Sequence, residues 1–194
     1  MKFNKDEIEG YLVGLIVGDG HIEPKTNRIV IASNNEIFIN KISSMFNKLK
    51  HQHSIFYDKS ATVWKLGINS KKLHDILTKK YNIPIGNKTF INFRPNLTEK
   101  QLTFFIAGIF DAEGWGEIDK GKYFKVRIKM KNKEIISFVR EILENKGFQP
   151  KGHVKADSSY VVEVNKQTNV KRFFKTINLL HPKWTKFNIS SLVG

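Results

Sequence analysis

The chain has 194 residues, 40% of them hydrophobic, which is enough for one large domain or two small, closely packed ones. Its 33 Lys and Arg against 18 Asp and Glu give a net charge of +15, which favours a polyanionic partner, most simply a nucleic acid. The absence of cysteine excludes disulfides, zinc fingers and thiol nucleophiles, and the polar N-terminus and short apolar runs predict neither a signal peptide nor a membrane span.

The first half of the chain is predicted to alternate helices and hairpins. Asp6, with Glu9 three residues on, is expected to cap a helix that runs to about Gly18. Turn residues and apolar periodicity then indicate a hairpin, a second helix, two more strands and a third helix that ends before Pro84. The predicted strands cover 21–23, 28–32, 54–57 and 62–69, and the helices cover 36–49 and 70–83.

The second half repeats this order after a linker at 85–97. Thr98 is expected to cap the fourth helix, and Gly147 to end the fifth. The predicted strands cover 115–118, 123–131, 151–156 and 159–165, and the last helix covers 168–180. Similar Asn-x-Glu-Ile segments begin at Asn34 and Asn132, 98 residues apart. We therefore predict an α+β fold of two pseudo-twofold-related αββαββα subdomains, 1–84 and 98–194, each with a four-stranded antiparallel sheet.

A short motif occurs once in each half, at 12–20 and 106–114. Each copy is an apolar run with small residues at its third and seventh positions, then one carboxylate (Asp19 or Glu113), then glycine. Small residues four apart share a helix face and let two helices pack backbone against backbone. The final glycines, Gly20 and Gly114, are expected to end the helices in the left-handed conformation. The two carboxylates would then meet at negative helix ends, an arrangement that favours a bound cation.

A single copy is more simply interpreted as a core helix that ends at a turn, but two copies with the same spacing argue against that. The pattern resembles the LAGLIDADG homing endonucleases in their single-chain, two-motif form, over nearly the whole chain. Both copies match the family's glycines at positions three and nine and its acid at position eight. Position six, which varies in the family, holds Val17 in one copy and Asp111 in the other. The resemblance implies a monomer with pseudo-dimer symmetry, whose motif helices form the seam and whose sheets form a saddle over DNA.

Strand alternation predicts a basic face on the sheets. In the stretch 123–131 four basic residues alternate with four apolar ones, and the pattern continues less regularly in the other strands. For one strand a solvated face is the simpler interpretation, but several such strands favour the major groove of double-stranded DNA. Two unlike halves, each following roughly 10 bp, indicate a long asymmetric target. The predicted DNA-binding residues are Arg28, Ser33, Lys65, Asn69, Lys125, Arg127, Lys129, Lys131, Lys151, His153, Lys155, Glu163 and Asn165.

Asp19 and Glu113 are the candidate catalytic carboxylates and metal ligands. Their hard oxygens suit Mg²⁺, with Mn²⁺ or Ca²⁺ as ions that can substitute for it in binding. Such an ion activates water for phosphodiester hydrolysis and stabilises the leaving oxygen. The resemblance adds the backbone carbonyls of Gly18 and Ala112 as ligands, and implies one strand cut per half with short 3′ overhangs.

The resemblance also implies a basic residue near each carboxylate, after the third helix of each half. Lys88 fits this place in the first half, and Lys186, 98 residues on, is its expected counterpart, with Lys183 as the competing choice. A plain surface lysine is an equally good interpretation for each. The proposed role is to stabilise charge on the phosphate or to polarise water. Ser33 and Lys131, each after the second strand of its half, differ in charge, so the two cuts are expected to differ in rate.

The sequence is thus interpreted as a site-specific, Mg²⁺-dependent double-strand DNA endonuclease carried by an intervening element. It would act inside the cell, in the cytoplasm, nucleoid or an organelle, with no membrane partner. Two alternatives remain open: a maturase that binds intron RNA, and a DNA-binding regulator on a decayed endonuclease scaffold. The presence of both carboxylates favours the nuclease over the decayed scaffold, whereas splicing activity leaves no signature in the sequence.

Overall fold

A computed structural model describes residues 3–119, 123–155 and 157–187. The described chain folds into two similar halves, each with a four-stranded antiparallel sheet and three main helices. The α+β architecture predicted from the sequence is confirmed. Among the residues described, no helix is both long and apolar enough to cross a bilayer.

The first half is built from three helices and the strands β1 to β4. Its elements are α1 (Lys5–Gly18), β1 (Gly20–Ile22), β2 (Arg28–Ser33), α2 (Glu36–Lys48), β3 (Ser54–Asp58), β4 (Val63–Asn69) and α3 (Lys71–Asp75), which continues as a π-helical turn (Ile76–Lys80). Helix α1 is capped by Asn4, whose side chain accepts from the Glu7 N–H at 3.0 Å while the Glu7 carboxylate accepts from the Asn4 N–H at 2.9 Å. The predicted cap at Asp6 was wrong, because the Asn4–Glu7 pair has the same spacing two residues earlier.

The second half follows residues 81–98, which contain neither helix nor strand. Its elements are α4 (Glu99–Glu113), β5 (Gly114–Asp119), β6 (Tyr123–Met130), α5 (Lys133–Asn145), β7 (Lys151–Val154), β8 (Tyr160–Val164), α6 (Gln167–Thr176) and a 3₁₀ helix (Pro182–Phe187). The last helix ends four residues before its predicted end. The domain limits at 84 and 98 stay predictions, and Ala156 and the tail beyond 187 lie outside the described residues.

The two sheets have the same topology, β1-β2-β4-β3 and β5-β6-β8-β7. Ile31 pairs with Gly20 in one half and Ile128 with Gly114 in the other, so β2 and β6 are related by 97 residues. The two N-caps, Asn35 and Asn132, have the same separation. The predicted separation of 98 was therefore wrong by one residue.

This one-residue shift changes the assignment of Ser33. In a strand, a slip of one position moves a side chain to the opposite face of the sheet. Ser33 pairs with Trp64 on the face that carries Ile31, and its hydroxyl accepts from the Asn35 N–H at 3.1 Å. Ser33 thus lies on the core side of β2, and the residue that corresponds to Lys131 is Asn34. This placement argues against Ser33 as a DNA contact.

Helices α1 and α4 pack backbone against backbone, as the small residues predicted. A Cβ on Gly14 would lie 2.2 Å from the carbonyl oxygen of Phe105, and one on Gly18 would lie 2.4 Å from the Cβ of Ala112. Distances below 3.0 Å leave no room for any side chain at these positions. The seam therefore requires glycine at both places.

The glycines after the two motif helices are not left-handed caps. Gly114 has φ −83° and ψ 156°, which is extended backbone, and Gly20 begins β1. What demands glycine is close approach, since a Cβ on Gly114 would lie 2.7 Å from the Phe110 carbonyl oxygen. The expected left-handed conformation was wrong here, whereas Gly147, predicted to end the fifth helix, does so with φ 75°.

Candidate DNA-cleavage site

The seam brings the two motif carboxylates together. Asp19 follows the last residue of α1, and Glu113 is the last residue of α4. A Cβ on Gly18 would lie 3.2 Å from Cγ of Glu113, so the Glu113 side chain lies against the end of α1. Burial raises the pKa of Asp19, and burial followed by the charge of Asp19 raises the pKa of Glu113. A cation bound between the two carboxylates would therefore stabilise their ionised forms.

At the C-terminal end of each motif helix, a lysine ammonium from a later segment of the chain donates to backbone carbonyl oxygens. Lys88 Nζ donates to the carbonyl oxygens of Ile16 and Gly20 at the end of α1, the latter at 2.5 Å. Lys183 Nζ donates to the carbonyl oxygens of Asp111 and Ala112 at the end of α4, at 2.7 and 3.1 Å. Cations are favourable at the negative ends of helices. The two lysines thus occupy similar places in the two halves, although the carbonyls of Asp111 and Ala112 correspond to those of Val17 and Gly18 rather than to the pair that Lys88 bonds.

Lys186, the expected counterpart of Lys88, lies elsewhere. Its side chain is exposed, with Nζ 5.1 Å from the ring centroid of Phe187. The assignment was wrong because the separation between equivalent positions is not constant: 94 residues at the motif carboxylates, 97 at the N-caps of α2 and α5, and 95 at the two helix-capping lysines. Lys183, the competing choice, is the residue the fold places at the site.

The two lysines lie half-buried beside the carboxylates, of which Glu113 is half-buried and Asp19 is exposed at the surface. Burial lowers the pKa of Lys88 to about 8, although Asp19 and Glu113 act in the opposite direction. Burial also lowers the pKa of Lys183, against the opposing charges of Asp111, Asp19 and Glu113. A lysine whose pKa is near neutrality can both carry charge and exchange a proton at physiological pH.

The donor set fits a hard divalent cation. Asp19 and Glu113 supply two carboxylates at one point, and the described residues contain no group of three or more His, Cys, Asp and Glu that could hold a metal. Mg²⁺ commonly uses one or two carboxylates and takes its other oxygens from water and phosphate. Of the two carbonyls expected to join them, that of Ala112 accepts from Lys183, so an ion bound there would compete with the ammonium.

A groove of about 560 Å³ opens beside Glu113 and Lys88. Lys129 and Lys131 line it from the second half, and His21 and Asn87 from the first. The sequence pattern did not single out His21, although its place two residues after Asp19 and its pairing with Val30 put it beside the site. The groove is thus bordered by cationic and polar side chains suited to a phosphate backbone.

The outward face of the second sheet carries the predicted cations with carboxylates among them. Arg127 forms ion pairs with Glu117 on β5 and Glu163 on β8. Burial raises the pKa of Glu163, but its hydrogen bonds with Arg127 and Asn165 outweigh this and the pKa is lowered. Lys129 pairs with Asp157 at 3.2 Å, and Lys125 shares the Arg127 face. The sequence pattern gave no sign of these pairs, because it does not reveal which strands are neighbours.

Lys151, His153 and Lys155 are exposed at the edge strand β7 and just beyond it. The apolar side expected for this strand is not buried, since Val154 is 62% exposed. The three polar side chains are accessible nevertheless, at the outer rim of the second sheet.

The first sheet carries fewer cations. Arg28 lies opposite Asn69, forms a 3.8 Å ion pair with Glu23, and has its guanidinium 5.8 Å from the ring centroid of Phe56. A Cβ on Gly67 would lie 3.2 Å from this guanidinium, so the glycine leaves space for it. Lys65 pairs with Asp58 at 2.6 Å. The two faces therefore differ in chemistry, as an asymmetric partner would require.

Two like halves, joined by glycine-lined helices that each end at a carboxylate, define a single-chain protein of the LAGLIDADG type. The chain belongs to the LAGLIDADG-like domain family, whose pattern matches residues 6–81 and 100–178, once in each half.

Two relatives show sequence similarity to this chain. The chain is 28% identical over 192 residues to the homing endonuclease I-DmoI of Desulfurococcus mucosus, covering 92% of this chain and 91% of the relative. It is also 29% identical over 137 residues to a DNA polymerase of Thermococcus hydrothermalis, which is 68% of this chain but 8% of the polymerase. The chain thus spans a small part of that protein's length.

Solved structures of I-DmoI have the same fold. The complex of I-DmoI with DNA and Mn has a TM-score of 0.64 at 26% identity, covering 92% of this chain and 99% of that one. The complex with DNA and Ca has a TM-score of 0.65 at 24% identity, covering 98% of both chains.

Proposed function

We propose that this protein is a site-specific endonuclease that cuts both strands of a long, asymmetric DNA target. The observation that carries the proposal is the pairing of Asp19 and Glu113 at the ends of the two motif helices, each helix being capped by a half-buried lysine. The similarity to a homing endonuclease that has been solved with DNA and a divalent metal supports it. By the same similarity, the gene would belong to a mobile intervening element.

Asp19 and Glu113 are the residues that would hold the metal, for which Mg²⁺ is our proposal. When bound, the ion supplies a nucleophilic water at neutral pH and stabilises charge on phosphate oxygens. The two carboxylates fix it at the seam, within reach of both halves. Burial raises the pKa of Asp19, and burial together with the charge of Asp19 raises the pKa of Glu113, so binding a cation there is favourable.

Lys88 and Lys183 would stabilise the extra negative charge that develops on each phosphate during hydrolysis. Both ammonium groups are already fixed by two carbonyl hydrogen bonds, so little reorganisation is needed when the phosphate arrives. With a pKa of about 8, Lys88 is largely protonated at pH 7 and can pass a proton to the leaving oxygen.

The outward faces of the two sheets would bind the DNA in its major groove. Lysines and arginines there would balance phosphate charge, and Glu117, the more exposed of the two carboxylates paired with Arg127, would accept hydrogen bonds from base amino groups. Because the two faces differ, each half would read a different sequence, for a total of roughly 20 bp.

The test begins with selection of bound duplexes from a random DNA library, followed by incubation with and without Mg²⁺. We expect a metal-dependent double-strand break. Asp19→Asn and Glu113→Gln should each slow cleavage at least about 100-fold while the affinity for DNA is retained or increased. Glu141→Gln, an isosteric change of an exposed carboxylate on α5, is the matched control and should cut normally.

A readout independent of cleavage is the melting temperature of the protein without DNA. Mg²⁺ should raise it for the wild type and not for the double variant Asp19→Asn/Glu113→Gln. Specific binding without any metal-dependent break would instead identify a DNA-binding protein on this scaffold. Preference for intron RNA over all duplexes would identify a maturase.

A further inference from the structure

Asp111, at position six of the second motif, is a buried carboxylate with four donors. It is 1% exposed. Its Oδ2 accepts from the Tyr11 hydroxyl at 2.6 Å and the Leu180 N–H at 2.7 Å. Its Oδ1 accepts from the Trp184 indole N–H at 2.8 Å and the His181 N–H at 3.2 Å. A carboxylate satisfied in this way is an anchor for the backbone around it.

The anchored segment, residues 180–184, carries Lys183. Three of the donors to Asp111 belong to this segment, so the carboxylate fixes the backbone before the lysine and the indole of the residue after it. The first half also holds the segment: Lys41 Nζ donates to the Leu180 carbonyl at 2.8 Å, and the rings of Phe38 and His181 lie 4.5 Å apart. Lys183 is therefore positioned through residues of both halves.

The segment that carries Lys88 has a different anchor. Asn132, the buried N-cap of α5, donates from Nδ2 to the carbonyls of Lys88 at 2.7 Å and Ile91 at 3.0 Å. Its Oδ1 simultaneously accepts from the Ile135 N–H at 3.1 Å. An amide has both a donor and an acceptor, so this single side chain caps a helix and holds the lysine's own peptide unit.

The two anchors are not copies of each other. The residue that corresponds to Asp111 in the first motif is Val17, which has no polar group. The residue that corresponds to Asn132 is Asn35, whose Oδ1 caps α2 by accepting from the Phe38 N–H at 2.9 Å. The halves therefore hold equivalent lysines by unrelated means.

We propose that Asp111 and Asn132 are positioning residues, each setting the lysine of one cleavage site, so that the two strand cuts can be slowed independently. The inference rests on the proposed function and adds that the two cleavage sites are controlled by different residues. Asp111 acts on the cut that depends on Lys183, and Asn132 on the cut that depends on Lys88.

The test uses a pair of isosteric changes, Asp111→Asn and Asn132→Asp. The first removes acceptors from the 180–184 segment. The second keeps a good helix cap but removes the donor to the Lys88 carbonyl. Single-turnover cleavage is followed on a duplex that carries a different fluorophore at each 5′ end, so that each strand's rate is measured separately.

We expect each variant to slow one strand about 10-fold or more relative to the other, with the ratio of the two rates moving in opposite directions. Lys183→Met and Lys88→Met identify which strand depends on which lysine, and each positioning variant should share the bias of its lysine. A loss of fold stability alone would slow both strands equally. Ile142→Val changes a buried side chain of α5 outside both anchored segments. It measures how much a loss of stability alone slows the two strands.

Lys41→Met provides a milder change in case Asp111→Asn does not fold. It removes only the bond to the Leu180 carbonyl, and should give the same strand bias as Asp111→Asn, to a smaller extent. Equal loss on both strands in Asp111→Asn or in Lys41→Met would overturn the inference and leave the endonuclease intact. A wild type that cuts neither strand would overturn the proposed function itself, and the inference with it.

Discussion

Gly108 lies so close to Tyr11 that a Cβ on the glycine would be 2.0 Å from the tyrosine's carbonyl oxygen. The contact joins the backbones of α4 and α1, and its counterpart is the approach of Gly14 to Phe105. The seam that unites the two halves thus depends on the absence of two side chains. The carboxylates at the helix ends are held together by the same contact.

Gly108→Ala should therefore push the two helices apart. Since the atoms that a Cβ would meet are backbone, they cannot move aside independently, and we expect a loss of about 3 kcal/mol or more in the free energy of unfolding. Urea denaturation followed by circular dichroism measures it. Gly152→Ala, where the nearest atom is the flexible Arg140 side chain at 3.4 Å, should change stability by less than about 0.5 kcal/mol. Equal effects of the two changes would contradict the backbone-packed seam.

The two candidate lysines of the second half can be separated by mutation. Lys183→Met removes an ammonium beside the carboxylates and should slow cleavage of one strand about 100-fold. Lys186→Met removes an exposed charge outside the site and should leave the cleavage rate within about two-fold, with a small loss of DNA affinity at low salt. Single-turnover rates at saturating protein decide between them. A severe defect in Lys186→Met alone would restore the assignment from sequence.

Replacing Asp19 should stabilise the fold while removing activity. Burial raises the pKa of Asp19, so the ionised carboxylate destabilises the folded state at every pH above that pKa. Below the ordinary pKa of about 3.9 the group is protonated in both states and the penalty is absent. Because the Asp19 side chain is exposed and solvent screens its charge, Asp19→Asn should raise Tm only slightly, by about 1 °C, at pH 7 without metal, and the gain should disappear as the pH falls towards 4. A gain that is the same at both pH values would point to some cause other than ionisation.

Arg127 should matter for DNA binding more than its single charge suggests. Arg127→Ala removes a cation and leaves Glu117 and Glu163 without their arginine partner on the proposed DNA-binding face. We expect at least about a 10-fold loss of affinity, against a few-fold loss for Lys151→Ala at the exposed rim. Adding Glu117→Gln to Arg127→Ala should recover part of the loss. Additive effects of the two changes in a double-mutant cycle would show that the pair does not act together on DNA.

The motif, the topology and the position of the carboxylates could be predicted because each follows from the spacing of residues that are close together in the sequence. Gly14 and Gly18 mark a helix face without any knowledge of the partner, and period-two alternation marks the faces of β6. Lys183 was harder, because its place depends on the length of the connections before it. A constant offset between the halves favoured Lys186 and failed.

Other features depend on contacts between distant parts of the chain and left no local signal. The four donors to Asp111 come from residues about 70 and 100 positions away, so its role as an anchor could not be read from the motif. Gly114 is a different case: the sequence correctly placed it at the end of the helix, but the expected left-handed conformation is not the reason that glycine is needed there. Its glycine is required by a neighbouring carbonyl in space and not by its own backbone angles.

The indole of Trp184 gives this fold a built-in optical probe. Its N–H donates to the Asp111 carboxylate and its ring is buried, so its fluorescence depends on the segment that carries Lys183. The chain has three tryptophans, at positions 64, 115 and 184. With Phe at the first two, emission would come from Trp184 alone, and a shift to longer wavelength on adding DNA or metal would report detachment of the segment in real time, without any label on the protein.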